Sequence, residues 1–235
     1  MKEVLEVGDT RAEPGKIAKG SLGTVEIADS SKVSIPLINI NGAHDGPILT
    51  VVSGVHGPEL SPIGAVLAAV KKIDPASLRG AFICIPGANP LAFRNASYTT
   101  PIDNVNLSGP WFLPPVDQTS ASITQRMAFH INEALEVADY VLDMHANPLP
   151  SMPFVLTNYE MCPDETVKTE TQKIAEAFGV TIINNPRKQA SSLRDLCVRK
   201  GKPALTPELA GNIYMWDSIS NVGTRGILNV MKAIG

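Results

Sequence analysis

The sequence predicts an α/β protein, a three-layer sandwich in which a mixed, centrally parallel sheet carries helices on both faces. Three observations support this class. Ile48 to Val55 is a near-continuous apolar run, the pattern of a strand buried on both faces. Such runs alternate along the chain with segments of helical period, the order that builds a parallel sheet. Before them, Thr24 to Ile27 and Lys32 to Ile40 alternate with period two, as half-buried antiparallel strands do. A hairpin region over residues 1–45 is therefore expected to pack on one catalytic domain spanning residues 1–235.

The elements follow in order. After the Ile48–Val55 strand, Ser61 and Pro62 supply an N-cap and a first-turn proline, and Ile63, Val66, Leu67, Val70 and Ile73 continue at helical spacing. Ala81 to Pro86 is a strand. Gly87 to Thr119 reads as one irregular stretch with six prolines from Pro86 to Pro115. Loops beyond about 12–15 residues in compact domains are commonly functional, so this stretch should border a site. Ile123, Met127, Ile131 and Leu135 form one helix face and lead into a strand over Tyr140 to His145. Phe154 to Thr157 is a strand, and Asp164 to Phe178 is a helix stopped by Gly179. Val180 to Ile183 is extended, Leu193 to Lys200 is helical with Gly201 as its stop, and Pro203 to Thr206 is extended again. A last helix runs over about 222–234.

Composition excludes several classes. The 235 residues are 44% hydrophobic and 18% charged, ordinary globular values. Lys and Arg number 20 against 23 Asp and Glu, leaving no positive excess for nucleic acid or an anionic membrane surface. No apolar run approaches the ~20 residues that span a bilayer, and the expected location is cytoplasmic. Cys84, Cys162 and Cys197 are few and widely spaced, so they are read as reduced and structural. Repeats and linkers are lacking, and a homo-oligomer is compatible with the sequence.

The chemistry gathers after the strands. His56 and Glu59 lie three residues apart in the turn after the central strand, a nitrogen and a carboxylate donor suited to Zn²⁺. A catalytic zinc takes three protein ligands and keeps an open position. His145 ends another buried strand, with Asp143 two residues back to orient its ring. Glu208 ends a third. Ligands of open α/β sheets collect at the carboxyl ends of strands, where all four residues fall. Each has a plainer reading: a lone His-x-x-Glu is a weak pattern, His145 could be a core histidine, and Glu208 could cap a turn. His44 is read as a turn residue and His130 as solvent-facing. No Gly-x-Ser-x-Gly elbow is present, and no cysteine has the spacing of a nucleophile or ligand.

Five blocks then show a family likeness: GVHGPE at 54–59, NPLAF at 89–93, TPID at 100–103, LDMHA at 142–146 and PALTPELAG at 203–211. In content and order they resemble the zinc-dependent succinylglutamate desuccinylase/aspartoacylase family, related to the zinc carboxypeptidases. The resemblance implies a zinc carboxypeptidase-like fold, one Zn²⁺ per chain held by His56, Glu59 and His145, and Glu208 as general base. It implies a deacylase that cleaves the amide bond of a small N-acylated amino acid or amine. A peptide-cleaving metallocarboxypeptidase, or a zinc- or ligand-binding pseudoenzyme, are the alternatives.

The sequence departs from the family pattern in one segment. Ser108 and Gly109 fall where the family carries an Asn-Arg pair, and Tyr98 aligns with a second arginine. Arg94, four residues before Tyr98, is the candidate replacement, and Arg94, Asn106 and Ser108 are the candidate substrate contacts. The β-rich domain that commonly follows the family's catalytic domain has no counterpart before Gly235.

Overall fold

The computed structural model describes residues 2–109, 120–186 and 192–235. The chain opens with a short antiparallel ribbon, β1 (Leu5–Val7) and β2 (Thr10–Ala12), which the sequence reading did not anticipate. Two long antiparallel strands follow, β3 (Lys16–Glu26) and β4 (Lys32–Asn41), and then β5 (His44–Val52). Next come α1 (Leu60–Val70), β6 (Arg79–Ile85), α2 (Pro90–Asn95) and α3 (Ile123–Glu136). The second half contains β7 (Tyr140–Asp143), β8 (His145–Asn147), β9 (Phe154–Thr157), α4 (Glu165–Phe178), β10 (Thr181–Asn184), α5 (Leu193–Arg199), β11 (Ala204–Ala210) and α6 (Asp217–Ile234).

Nine strands form one sheet in the order β10-β9-β11-β7-β5-β6-β4-β3, with β8 paired to β11. The central strands β11, β7, β5 and β6 are mutually parallel, while β4 and β3 extend one edge antiparallel. The mixed, centrally parallel class is the one expected. Two cores lie on its faces. Val52, Ile83, Ile85 and Val141 pack with Met127, Ile131 and Leu135 of α3 and Leu196 of α5. Leu49, Val51, Leu142, Leu205 and Leu209 pack with Val66 of α1, Ile174 of α4 and Ile227 of α6. Neighbours Val51 and Val52 face opposite cores because strand side chains alternate, so a strand between two helical layers must be apolar throughout.

Several local expectations are corrected. The first helix begins at Leu60 with Glu59 at its N-cap, not at Ser61, and the Ser61 hydroxyl donates instead to the Tyr214 carbonyl at 3.0 Å. Pro62 still falls among the first amides, which have no partner within the helix, so the shift leaves none unsatisfied. The irregular stretch after Gly87 contains α2, whose start Asn89 caps by accepting from the Ala92 amide; residues 110–119 of that stretch lie outside the described residues. His44 starts β5 rather than sitting in a turn. His130 is not fully solvent-facing: its side chain is 25% exposed, it pairs with Glu133 at 3.2 Å, and its ring lies over Gly23 of β3. The strand expected over residues 140–145 divides at Met144, with β7 pairing to both β5 and β11 and β8 to β11 alone.

This topology positions the site. Because β7 lies between β5 and β11, the residues that follow these strands are adjacent at one end of the sheet, although far apart in sequence. Among the described residues, no helix is long and apolar enough to cross a membrane.

Candidate metal centre

The chain leaves β5 through Gly54, whose φ of +66° is open to glycine but strained for most residues. At Gly57 a Cβ would come within 1.9 Å of the Ala92 carbonyl oxygen, so only glycine lets the turn pass this close to α2. The Gly57 amide also donates to the Ser97 carbonyl at 2.9 Å. These contacts hold His56 and Glu59 on the same side of the turn. Glu59 makes no side-chain cap bond although it occupies the N-cap of α1, because its carboxylate is taken by two imidazoles.

His56, Glu59 and His145 are 8%, 3% and 4% exposed. Their candidate donor atoms all lie within 4.8 Å of one another. His56 Nδ1 is 2.7 Å from Glu59 Oε1, His145 Nδ1 is 3.1 Å from Glu59 Oε2, and the two Nδ1 atoms are 3.3 Å apart. On their outer sides both rings meet an oxygen. His145 Nε2 lies 3.0 Å from Asp143 Oδ1, and His56 Nε2 lies 3.1 Å from Asn106 Oδ1. Asn106 Oδ1 also accepts the Ser108 amide at 2.8 Å, which fixes the amide group with its oxygen toward His56. Each Nε2–H can then donate outward, leaving two Nδ1 lone pairs and a carboxylate converging on one point. A divalent ion fits it, and neutral nitrogen with carboxylate oxygen is a donor set that zinc takes readily.

Electrostatics agree with this grouping. Burial works against the Glu59 carboxylate, but the His145 and His56 imidazoles outweigh it and hold its pKa down at about 2. Burial likewise disfavours charge on His145, yet the Asp143 and Glu59 carboxylates raise its pKa well above the ordinary value.

Glu208 pairs in register with His145 across β11 and β8, which puts its carboxylate beside the three donors. Asn147 donates to Glu208 Oε2 at 3.1 Å, and burial lifts the Glu208 pKa to about 6. A cavity of about 310 Å³ opens here, lined by the donors and Glu208 together with Tyr98, Ser108, Asn147, Arg194 and Thr206. The loop that carries Tyr98, Asn106 and Ser108 is pinned from below. Asp103 accepts from the Thr124 amide and hydroxyl, both at 2.8 Å, and Asn89 donates to Thr100 at 2.9 Å.

The structure thus brings together His56, Glu59, His145, Glu208 and Ser108. Asn106 is present as the partner of His56. Arg94 is not brought to the site: it is exposed in the last turn of α2 and does not line the cavity. Among the described residues, the arginine that does is Arg194, 2% exposed, which donates to Asp195 Oδ1 from Nε at 3.2 Å and Nη2 at 2.9 Å. The sequence reading missed it and Asn147. The available signals were an arginine set among Leu193, Leu196, Cys197 and Val198, a helix apolar on most sides, and an amide two residues past His145 on the same strand. The thiols take no part in this site: Cys84 and Cys197 are buried, and burial pushes the Cys197 pKa up to about 12.

The fold is of the zinc carboxypeptidase type, and it carries a His/Glu/His cluster that could hold a metal ion. The succinylglutamate desuccinylase/aspartoacylase catalytic domain matches residues 45–234, and the chain belongs to that family. Its fold is similar to that of an aspartoacylase family protein from Mesorhizobium loti, with a TM-score of 0.79 and 27% identity over 99% of this chain and 70% of that one. The product-bound ectoine utilization protein EutE from Ruegeria pomeroyi gives a TM-score of 0.82 and 22% identity over 99% and 70%. A succinylglutamate desuccinylase/aspartoacylase from Rhodobacter sphaeroides gives 0.76 and 24% over 93% and 64%, so this chain spans less than two thirds of that protein. No curated protein sequence matches the chain.

Proposed function

We propose that the protein is a zinc-dependent deacylase that hydrolyses the amide bond of a small N-acylated amino acid or amine. The observation that carries this reading is the pair of Nδ1 atoms converging with the Glu59 carboxylate, with a raised-pKa carboxylate, Glu208, on the neighbouring strand. His56, Glu59 and His145 would hold the ion. When bound, zinc polarises a carbonyl and lowers the pKa of water to about 7. The chain's own residues do the rest. Asp143 and Asn106 orient the two rings by accepting their Nε2 protons. Glu208, steadied by Asn147, takes a proton from the attacking water and returns it to the departing nitrogen. Arg194 gives the cavity a buried positive charge suited to a substrate carboxylate, and Ser108 adds a hydroxyl at its wall.

Membership of the succinylglutamate desuccinylase/aspartoacylase family supports a deacylase over a carboxypeptidase. Metal analysis and hydrolysis across N-acyl amino acids, N-acyl amines and short peptides test the proposal. The expected result is one zinc per chain and turnover of small acyl amides. Protein that takes up no zinc would refute the metal reading, a preference for peptides would support the carboxypeptidase, and zinc binding without turnover would support the pseudoenzyme.

A further inference from the structure

Among the described residues that line the cavity, Arg194 is the arginine, and Asp195 already occupies two of its donor atoms. Beside the ion, the negative charge that develops on a scissile carbonyl oxygen can take a further donor from the chain. Tyr98 is placed to supply it. Its ring lies against that of His56, with centroids 4.8 Å apart and planes tilted by 43°, and the residue lines the cavity beside Glu59 and Glu208. Asn212 donates from Nδ2 to the Tyr98 hydroxyl oxygen at 2.9 Å, so the phenol acts as acceptor toward Asn212. A phenol has one proton to donate, and no acceptor among the described residues takes it. Asn212 is itself held where β11 ends, its carbonyl accepting from the Leu60 amide at 3.0 Å. The hydroxyl is thus anchored from two elements that also carry Glu59 and Glu208.

We infer that Tyr98 is a catalytic hydrogen-bond donor whose hydroxyl stabilises the oxyanion formed at the substrate's amide carbonyl. The inference rests on the deacylase reading above. As a water oxygen bonds to the amide carbon, the C=O π pair moves onto the carbonyl oxygen and the water's proton passes to Glu208. The new oxyanion accepts from the Tyr98 hydroxyl. On collapse the pair returns to form C=O, the C–N bond breaks with its electrons on nitrogen, and Glu208 returns the proton to that nitrogen. A donor held beside the site where charge develops is worth more in the transition state than in the bound substrate.

Tyr98→Phe keeps the ring on His56 and removes only the hydroxyl, so a stacking role and a donor role predict different results. The zinc-loaded variant is expected to keep its zinc and thermal midpoint, to hold KM within a few-fold, and to lose about 10²–10³-fold in kcat. A second readout is binding of a phosphonate analogue, in which tetrahedral phosphorus replaces the amide carbon. Its affinity should fall at least about tenfold in Tyr98→Phe, and by less in Asn212→Leu, which loosens the hydroxyl without removing it. A variant that turns over within a few-fold of the parent, or binds the phosphonate equally well, overturns the inference. Tyr98-dependent phosphonate binding by a parent protein that hydrolyses no amide would refute the deacylase reading and leave the donor assignment standing. A parent that neither binds nor hydrolyses refutes both.

Discussion

The two walls of the cavity are built by different means. His56, Glu59 and His145 stand on a tight turn and a strand in the middle of a parallel sheet, each next to residues with no freedom to move: Gly57 against Ala92, and β8 against β11. Tyr98, Asn106 and Ser108 stand on a loop after α2, and Arg194 on the short helix α5. The metal side takes its geometry from the fold itself. The substrate side takes its geometry from side-chain hydrogen bonds such as those at Asp103, which a different sequence could replace without altering the sheet. Within one family, the first should define the reaction and the second the substrate.

The largest effect expected from this division is at His145. His145→Ala leaves two donors, and its loss of metal affinity should exceed the roughly 100-fold that loss of an orienting partner causes. Zinc content and hydrolysis should vanish together, as metal analysis of the purified variant would show; stoichiometric zinc at normal affinity would remove His145 from the donor set.

Glu208 sharpens the comparison because it lies on the metal side and is proposed as the base rather than a ligand. Glu208→Gln should retain zinc and lose about 10²–10⁴-fold in kcat, with an unchanged melting temperature. If zinc were lost as well, Glu208 would belong to the donor set.

The smallest of these effects crosses the division. Asn106 is on the loop, yet its oxygen faces His56. Asn106→Ala should weaken zinc binding by about 10–100-fold while leaving the fold intact, measured by competition with a chelator. A variant of unchanged zinc affinity but altered KM would return Asn106 to the substrate side, where the sequence reading had put it.

What the sequence revealed follows the same line. The buried strands were readable because burial on two faces demands apolar runs, and the donors were readable because they stand just past those runs: His56 after Val52, His145 after Asp143, Glu208 within PALTPELAG. Strand order and donor chemistry singled out the candidates, and the family resemblance divided them into ligands and base. Arg194 was hidden because burial makes a charged side chain look like a surface one in sequence, and its acidic neighbour Asp195 strengthened that impression. Arg94 was attractive for the opposite reason, proximity in sequence to Tyr98, but the left-handed Ala96 turns the chain at the end of α2 and Arg94 stays outside the cavity. The amide that meets His56 is that of Asn106, read from the sequence as a substrate contact, because the Asp103 anchor sets where the loop descends.

Glu59 and His145 are 86 residues apart in the chain, and the hydrogen bond between them closes that whole interval. An ion coordinated by both would act as a removable cross-link between the turn that follows β5 and strand β8. Closure of a long interval restricts an unfolded chain more than closure of a short one. Metal binding then has a mechanical side as well as a chemical one. Chelation should loosen the carboxyl ends of β5 and β7, which lead to that cross-link, before it affects the antiparallel edge at β3 and β4, so that amide exchange along Thr50–Val52 reports occupancy of the site from within the core.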